Sequence, residues 1–286
     1  TLVINGTLDS MFRGTNGRTL ISSLRIDSSG AIVWNNIDMR SHQSTIINRN
    51  TLKFFSMDGK SSSTFPKVIN YGAVNMDHCF TGNVLENYGS VRSTGNNSLL
   101  NINQESGEFC LNGSTSLKKG QFSGGFIKGN GTLSFDGLVS FSGNSVLSPG
   151  GEGTNGIFEL TFLRLFSKAL FEISGCERGI SSDFIFSHGA CHIPSTIEVV
   201  FSSFIPNTGD EFVLIQCTGD VTGKPKAVFK GIDSTAVSLE FRNNSVIVVV
   251  TGCPKPPFNV TNCTECQPGF SLHENNITCS RCQPGS

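Results

Sequence analysis

One seven-residue pattern occurs twice in close succession. Val68-Ile-Asn-Tyr-Gly-Ala-Val74 returns as Leu85-Glu-Asn-Tyr-Gly-Ser-Val91, with Asn70 and Asn87 17 residues apart. Each copy sets an Asn-Tyr-Gly turn signal between two short strand-like runs. Glycine supplies the backbone freedom that a corner requires. A unit this short cannot enclose a core alone and buries its apolar side chains only by stacking on its neighbour, as solenoid coils do. The segments Gly-Asn-Gly-Thr-Leu (129–133) and Gly-Leu-Val-Ser-Phe-Ser-Gly (137–143) keep a similar beat. Stacking would also place the repeated asparagines in a ladder, each amide bonding to the coil above and below. The expected fold class is therefore all-β, a parallel β-helix-like solenoid with a β-rich capping block and a small disulfide-rich C-terminal module. A β-sandwich carrying two similar hairpins is the competing reading.

Helical periodicity is nearly absent elsewhere. Short alternating or apolar runs recur at 19–26, 31–34, 45–47, 52–55, 68–69, 99–102 and 132–135, separated by Gly, Asn and Ser. From Ser148-Pro-Gly-Gly onward the runs lengthen, beginning at Gly156, Ala169, Ser182, Thr196, Gly209, Ala227, Val237 and Ser245. Three segments follow from this: β-helix-like coils at 1–147, C-terminal β-rich coils or cap at 148–252, and a cysteine-rich tail at 253–286.

The order Ser-Pro-Gly, Gly-rich turn, strand, Ala-Leu-Phe-Glu-Ile-Ser-Gly (169–175), Asp183-Phe-Ile, Gly209-Asp-Glu-Phe-Val-Leu-Ile and a closing Val-rich strand resembles the C-terminal coils of bacterial autotransporter passengers and related β-helical adhesins. It covers roughly residues 60–252, and implies an elongated surface stalk. The cysteines and glycosylation sequons depart from the bacterial pattern and suggest a eukaryotic surface protein of the same architecture. In the tail, Cys263-Thr-Glu-Cys266-Gln-Pro-Gly-Phe is echoed by Cys279-Ser-Arg-Cys282-Gln-Pro-Gly-Ser. This tandem pattern is similar to the ephrin-receptor-like and EGF-like repeats of extracellular proteins.

Ten cysteines point to disulfides in an oxidising compartment. Cys79 with Cys110 and Cys176 with Cys191 are candidate bridges in one scheme among many, which would leave Cys217 to Cys253; Cys263, Cys266, Cys279 and Cys282 are further candidates, and the sequence does not fix how the tail pairs. The tail spacing Cys-x2-Cys-x12-Cys-x2-Cys also suits zinc. Pro-Gly after each pair and the neighbouring sequons favour disulfides. Candidate N-glycosylation sites are Asn5, Asn96, Asn112, Asn130, Asn243, Asn259, Asn262 and Asn276. No run approaches the ~20 apolar residues of a membrane-spanning helix. The sequence has no initiator Met or leader, so it reads as a mature or partial segment. Secretion or display at the cell surface is expected.

Charged residues make up 15% of the chain and the net charge is −1, which disfavours a nucleic-acid partner. No Gly-x-Ser-x-Gly elbow occurs, and the Gly-rich stretch 124–131 lacks the Lys-Ser/Thr of a phosphate loop, so it reads as coil corners. His188 and His192 could ligate a metal only if both faced one side; no cofactor or metal is expected. Trp34 reads as core, and the many phenylalanines as interior stacks. The enzymatic alternative is a β-helical polysaccharide-cleaving enzyme, a lyase or glycoside hydrolase. Such chemistry needs paired carboxylates or acidic calcium ligands. The candidate acids Asp9, Asp27, Asp38, Asp58, Asp77 and Asp136 stand singly. The expected role is that of a non-catalytic structural or adhesive glycoprotein. Its expected partners are further copies of itself in a surface filament, or other surface or matrix proteins and glycans.

Overall fold

The computed structural model describes residues 2–4, 23–26, 31–35, 45–49, 51–55, 63–77, 80–136, 139–151, 153–164, 167–202, 204–252, 270–272 and 279–281. Among these residues there is no helix. Twenty-two strands join in one mostly parallel sheet. Its strands pair coil on coil, an arrangement compatible with a β-solenoid. The parallel registers disfavour the β-sandwich reading, in which two hairpins would pair antiparallel.

The sheet is continuous through several walls. On the first, Leu2–Ile4, Ser23–Ile26 and Thr45–Asn48 stack in parallel, followed by Ser63–Asn70, Phe80–Asn87 and the end of Ser90–Gln104. On the second, rungs run from Ala31–Asn35 through Thr51–Phe55 and Ala73–Asp77 to Lys168–Ile173, Thr196–Phe201 and Lys226–Lys230. Alternation of side chains sends every second residue inward. Leu52, Val74, Val91, Phe109, Ile127, Leu147, Ala169 and Ile197 follow one another in register, and all are buried. Each large apolar side chain so buried contributes about 1.5–3 kcal/mol.

The strands expected after residue 148 are present as Ile157–Leu160, Lys168–Ile173, Phe184–Ser187, Thr196–Phe201, Glu211–Cys217, Lys226–Lys230, Val237–Arg242 and Ser245–Val250. Val146–Pro149 spans the change of character and pairs with coils on both sides. One hydrophobic cluster extends from Ile46 to Val250. The difference near residue 148 is thus a change in coil length inside one core.

The described coils end in an antiparallel hairpin. Val237–Arg242 turns back through Asn243 and Asn244, whose φ values of 45° and 59° suit a tight primed turn. The returning strand Ser245–Val250 inserts between Val237–Arg242 and Glu211–Cys217, so its Val-rich run is wholly buried. In the tail, Phe270–Leu272 and Cys279–Arg281 pair antiparallel. No helix among the described residues is long and apolar enough to cross a membrane.

Candidate functional site: a laddered edge

The corner after the first wall is the most ordered chemical feature of the molecule. Asn48, Asn70, Asn87 and Gln104 occupy one register column, and all four are fully buried. Asn48 Nδ2 donates to Asn70 Oδ1, Asn70 Nδ2 to Asn87 Oδ1, and Asn87 Nδ2 to Gln104 Oε1, each at 2.7 Å. Each asparagine also donates to a backbone carbonyl of the next coil: Asn48 to Ala73, Asn70 to Ser90, and Asn87 to Glu108. The expected ladder is present, and it is longer than the sequence repeat. Asn48 and Gln104 lack the Tyr-Gly that marks the other two. The only signal at either was an amide ending an apolar strand.

Close approach explains the glycines of this corner. A Cβ on Gly89 would overlap the carbonyl oxygen of Gly72, one on Gly107 that of Gly89, and one on Gly125 that of Gly107. The Gly-rich stretch near residue 125 accordingly forms corners, as expected.

Outside the amide ladder lies a second, exposed one. Tyr71 and Tyr88 stack with ring centroids 5.0 Å apart at 14°. The Arg49 guanidinium lies 5.6 Å from the Tyr71 centroid, on the neighbouring coil. Burial, then the carboxylates of Glu105 and Glu86, raises the Tyr88 phenol above its ordinary value.

Beyond Gln104 the inner column turns aromatic. Phe122 and Phe141 follow in register and stack at 4.9 Å and 12°. This agrees with the expected interior Phe stacking. Trp34 lies in the strand Ala31–Asn35, but its side chain is outside the described residues. Further along the same corner, Gly143, Asn144, Val146, Ser167, Lys168, Ser195 and Thr196 line an open polar cavity of about 300 Å³.

Three sequon asparagines share a different corner. Asn96, Asn112 and Asn130 are exposed, and Asn112 and Asn130 directly precede the stacked Gly113 and Gly131. Asn243 is exposed on the tip of the terminal hairpin. Asn5, Asn259, Asn262 and Asn276 lie outside the described residues.

The disulfide scheme needs correction. Cys191 bonds to Cys217, not to Cys176, with Cα atoms 6.2 Å apart. The coil register decides this. Ser187 pairs with Cys217 and Cys191 with Val221, so the two cysteines flank the same corner on successive coils and the bond crosses it. Cys176 sits instead in the exposed turn between Ser174 and Ser181. The Cys217–Cys253 pairing is therefore excluded. Cys110 is a half-buried free thiol, so a Cys79–Cys110 bridge is not formed. Burial raises its pKa most, Glu108 adds to this, and Lys128 and Arg92 oppose it. Cys79, Cys253, Cys263, Cys266 and Cys282 lie outside the described residues, and of Cys279 only the strand backbone is described.

Among the described residues, the candidate acids Asp77 and Asp136 are not brought together. Asp77 accepts from Thr94 at 2.9 Å, and Asp136 accepts from Ser116 at 2.9 Å on another wall. Asp9, Asp27, Asp38 and Asp58 lie outside the described residues. His188 is edge-on to Phe186, and His192 bonds Thr222. Among the described residues no three His, Cys, Asp or Glu side chains are grouped to hold a metal.

Sequence reasoning missed one pair of carboxyls. Asp183 is fully buried, accepting Gly156 N–H at 2.9 Å through one oxygen and Glu172 N–H at 2.7 Å through the other. Glu172 accepts Gly153 N–H, and Asn155 donates to the Glu172 carbonyl. Burial pushes the Asp183 carboxyl up to about 8, against the pull of its two N–H donors. The pair pins the Gly-rich turn after Pro149 through these backbone N–H groups. No family model matches the chain, and no curated protein matches it.

Proposed function

We propose that this chain is a non-catalytic extracellular structural or adhesive glycoprotein, a stiff parallel β-helix carrying a disulfide-rich module. The amide ladder Asn48–Asn70–Asn87–Gln104 supports this reading most directly. Four coils are joined along their stacking direction by buried side-chain hydrogen bonds in addition to the backbone ladder. Such a column resists both bending and separation of coils. The autotransporter-passenger likeness of residues 60–252 and the ephrin-receptor-like repeats of the tail point to the same setting. So do the exposed Asn96, Asn112 and Asn130, which would place glycans along one corner, and the Cys191–Cys217 bond.

Between a discrete stalk and a filament subunit, the end of the described coils favours the stalk. The terminal hairpin covers the last rung of its wall. The edge strand Lys226–Lys230 carries lysine at both ends, a common guard against strand addition. Matrix or cell-surface proteins and glycans are then the natural partners.

Secretion of the full chain from a eukaryotic host, followed by electron microscopy and incubation with pectin and alginate, tests the reading. Separate rods bearing glycans, with the polysaccharides intact, are expected. Chain cleavage abolished by Glu172→Gln or by Asp77→Asn would replace it with the polysaccharide-cleaving enzyme.

A further inference from the structure

We propose that Tyr71 and Tyr88 form an oxidative cross-linking site, at which a haem peroxidase with hydrogen peroxide joins the two rings by a carbon–carbon bond and so fastens consecutive coils. These are the only two tyrosines in 286 residues. They stand side by side, 52% and 40% exposed, with ring centroids 5.0 Å apart at 14°. The backbone fixes their separation. Asn70 and Asn87, the residues before them, are paired in register and bonded through their side chains, and Tyr88 N–H donates to the Asn70 carbonyl at 2.8 Å.

The chemistry suits this placement. Stacking sets one face of each ring against the other, and both residues remain exposed to solvent. Each phenol gives up one hydrogen atom to the oxidised peroxidase. The two phenoxyl radicals couple through one ortho carbon each. Each coupled carbon then loses its proton, and each oxygen regains one, restoring two phenols on a biaryl bond. Two electrons and two protons in total pass to hydrogen peroxide, which becomes two waters. Radicals held in contact couple far faster than radicals that must meet by diffusion. Neither ring belongs to the hydrophobic core, so the twist needed to join them leaves the core packing alone. The inference stands on the geometry of the two rings and is independent of the adhesive reading.

The test is oxidation of the full chain at micromolar concentration with horseradish peroxidase and hydrogen peroxide, with N-acetyltyrosine as a soluble control. The expected product is a monomer lighter by two hydrogens, with dityrosine fluorescence and a single linked peptide pair containing both residues. It should exceed linked dimers by roughly tenfold or more. Tyr71→Phe and Tyr88→Phe each keep a stacked ring and should each abolish the intramolecular product. Peptide mapping of the unmodified chain decides the question even if a variant folds poorly. Coupling of N-acetyltyrosine without any Tyr71–Tyr88 bond overturns the proposal, and so does a product joined only between molecules.

Discussion

Gln104 and Phe122 are neighbours in one parallel register, and the interior changes chemistry between them. On one side, Gln104 accepts from Asn87 at 2.7 Å. On the other stands a phenyl ring, which offers its amide no partner. The Gln104 Nε2 therefore turns aside and donates to the Ser106 carbonyl, also at 2.7 Å. Asn70 and Asn87 make the same bond to the carbonyl two residues on, Gly72 and Gly89, in addition to their ladder bonds; at Gln104 it takes the place of the ladder bond. A buried amide column cannot stop abruptly without orphaning a donor, and Gln104 is how this one stops.

The ladder should be costly to break in its middle and cheap to trim at its end. Asn87→Leu removes the acceptors of Asn70 Nδ2 and Gly89 N–H and the donor to Gln104. We expect a loss of about 3 kcal/mol, the scale of buried polar groups left unpaired. Gln104→Leu meets Phe122 on one side and leaves Asn87 with its carbonyl partners Gly89 and Glu108. About 1 kcal/mol is expected there. Urea denaturation of the two variants gives the order, and equal losses would show that the ladder is not acting as a column.

Two glycines should respond to alanine for different reasons. At Gly89 the new methyl collides with the backbone carbonyl of Gly72, which cannot rotate away. A loss of about 3 kcal/mol is expected, at the upper end for overpacking. At Gly209 the space is open and only φ of +92° opposes a side chain. The cost there should be about 1–2 kcal/mol. Thermal unfolding ranks them, and a milder effect at Gly89 would contradict the close stacking of corners.

These positions also show how much could be read in advance. The Asn-Tyr-Gly pair was legible because register repeats turn chemistry, and its two asparagines form the middle of the ladder. Asn48 was hidden because Arg49 and Asn50 follow it in place of Tyr-Gly. Gln104 was hidden because its longer side chain does the work of an asparagine. The post-148 strands were legible from their long apolar runs. The partner of Cys191 was not, since pairing depends on which coil lies above, and Cys176 is closer in sequence than Cys217. Asp183 was equally invisible, because its role is to accept N–H groups from Gly156 and Glu172, 27 and 11 residues away.

Asp183 should make stability fall as pH rises. Its carboxyl titrates from about 8 in the folded chain, against an ordinary value of 3.8, because burial disfavours the charge. A folded value above the unfolded one gives a contribution that is fully present below pH 3.8 and lost progressively up to about pH 8. Glu198 works in the opposite sense. Burial raises its carboxyl, but hydrogen bonds and charges from Lys168 and Lys230 outweigh that and hold it below the ordinary value. Its contribution is present above that value and disappears as acid protonates it. Urea midpoints across pH 4–8 should decline, and Asp183→Asn should flatten the decline. A slope unchanged in that variant would assign it to other groups.

The Cys191–Cys217 bond should carry a substantial share of the stability of the last coils. It closes a loop with a sequence separation of 26, which spans the rung Thr196–Phe201. Loop-closure entropy for that length corresponds to about 3.5 kcal/mol. Cys191→Ser with Cys217→Ser should lower the unfolding free energy by that order and leave the Asn48–Gln104 column intact, since the ladder lies on earlier coils. Cys110 provides an internal control. Its thiol is half-buried with a raised pKa, so iodoacetamide should label it slowly in the native chain and faster as pH rises. Peptide mapping under non-reducing conditions checks both points. A Cys176–Cys191 peptide, or a Cys110 that never alkylates even after denaturation, would overturn the register that places these residues.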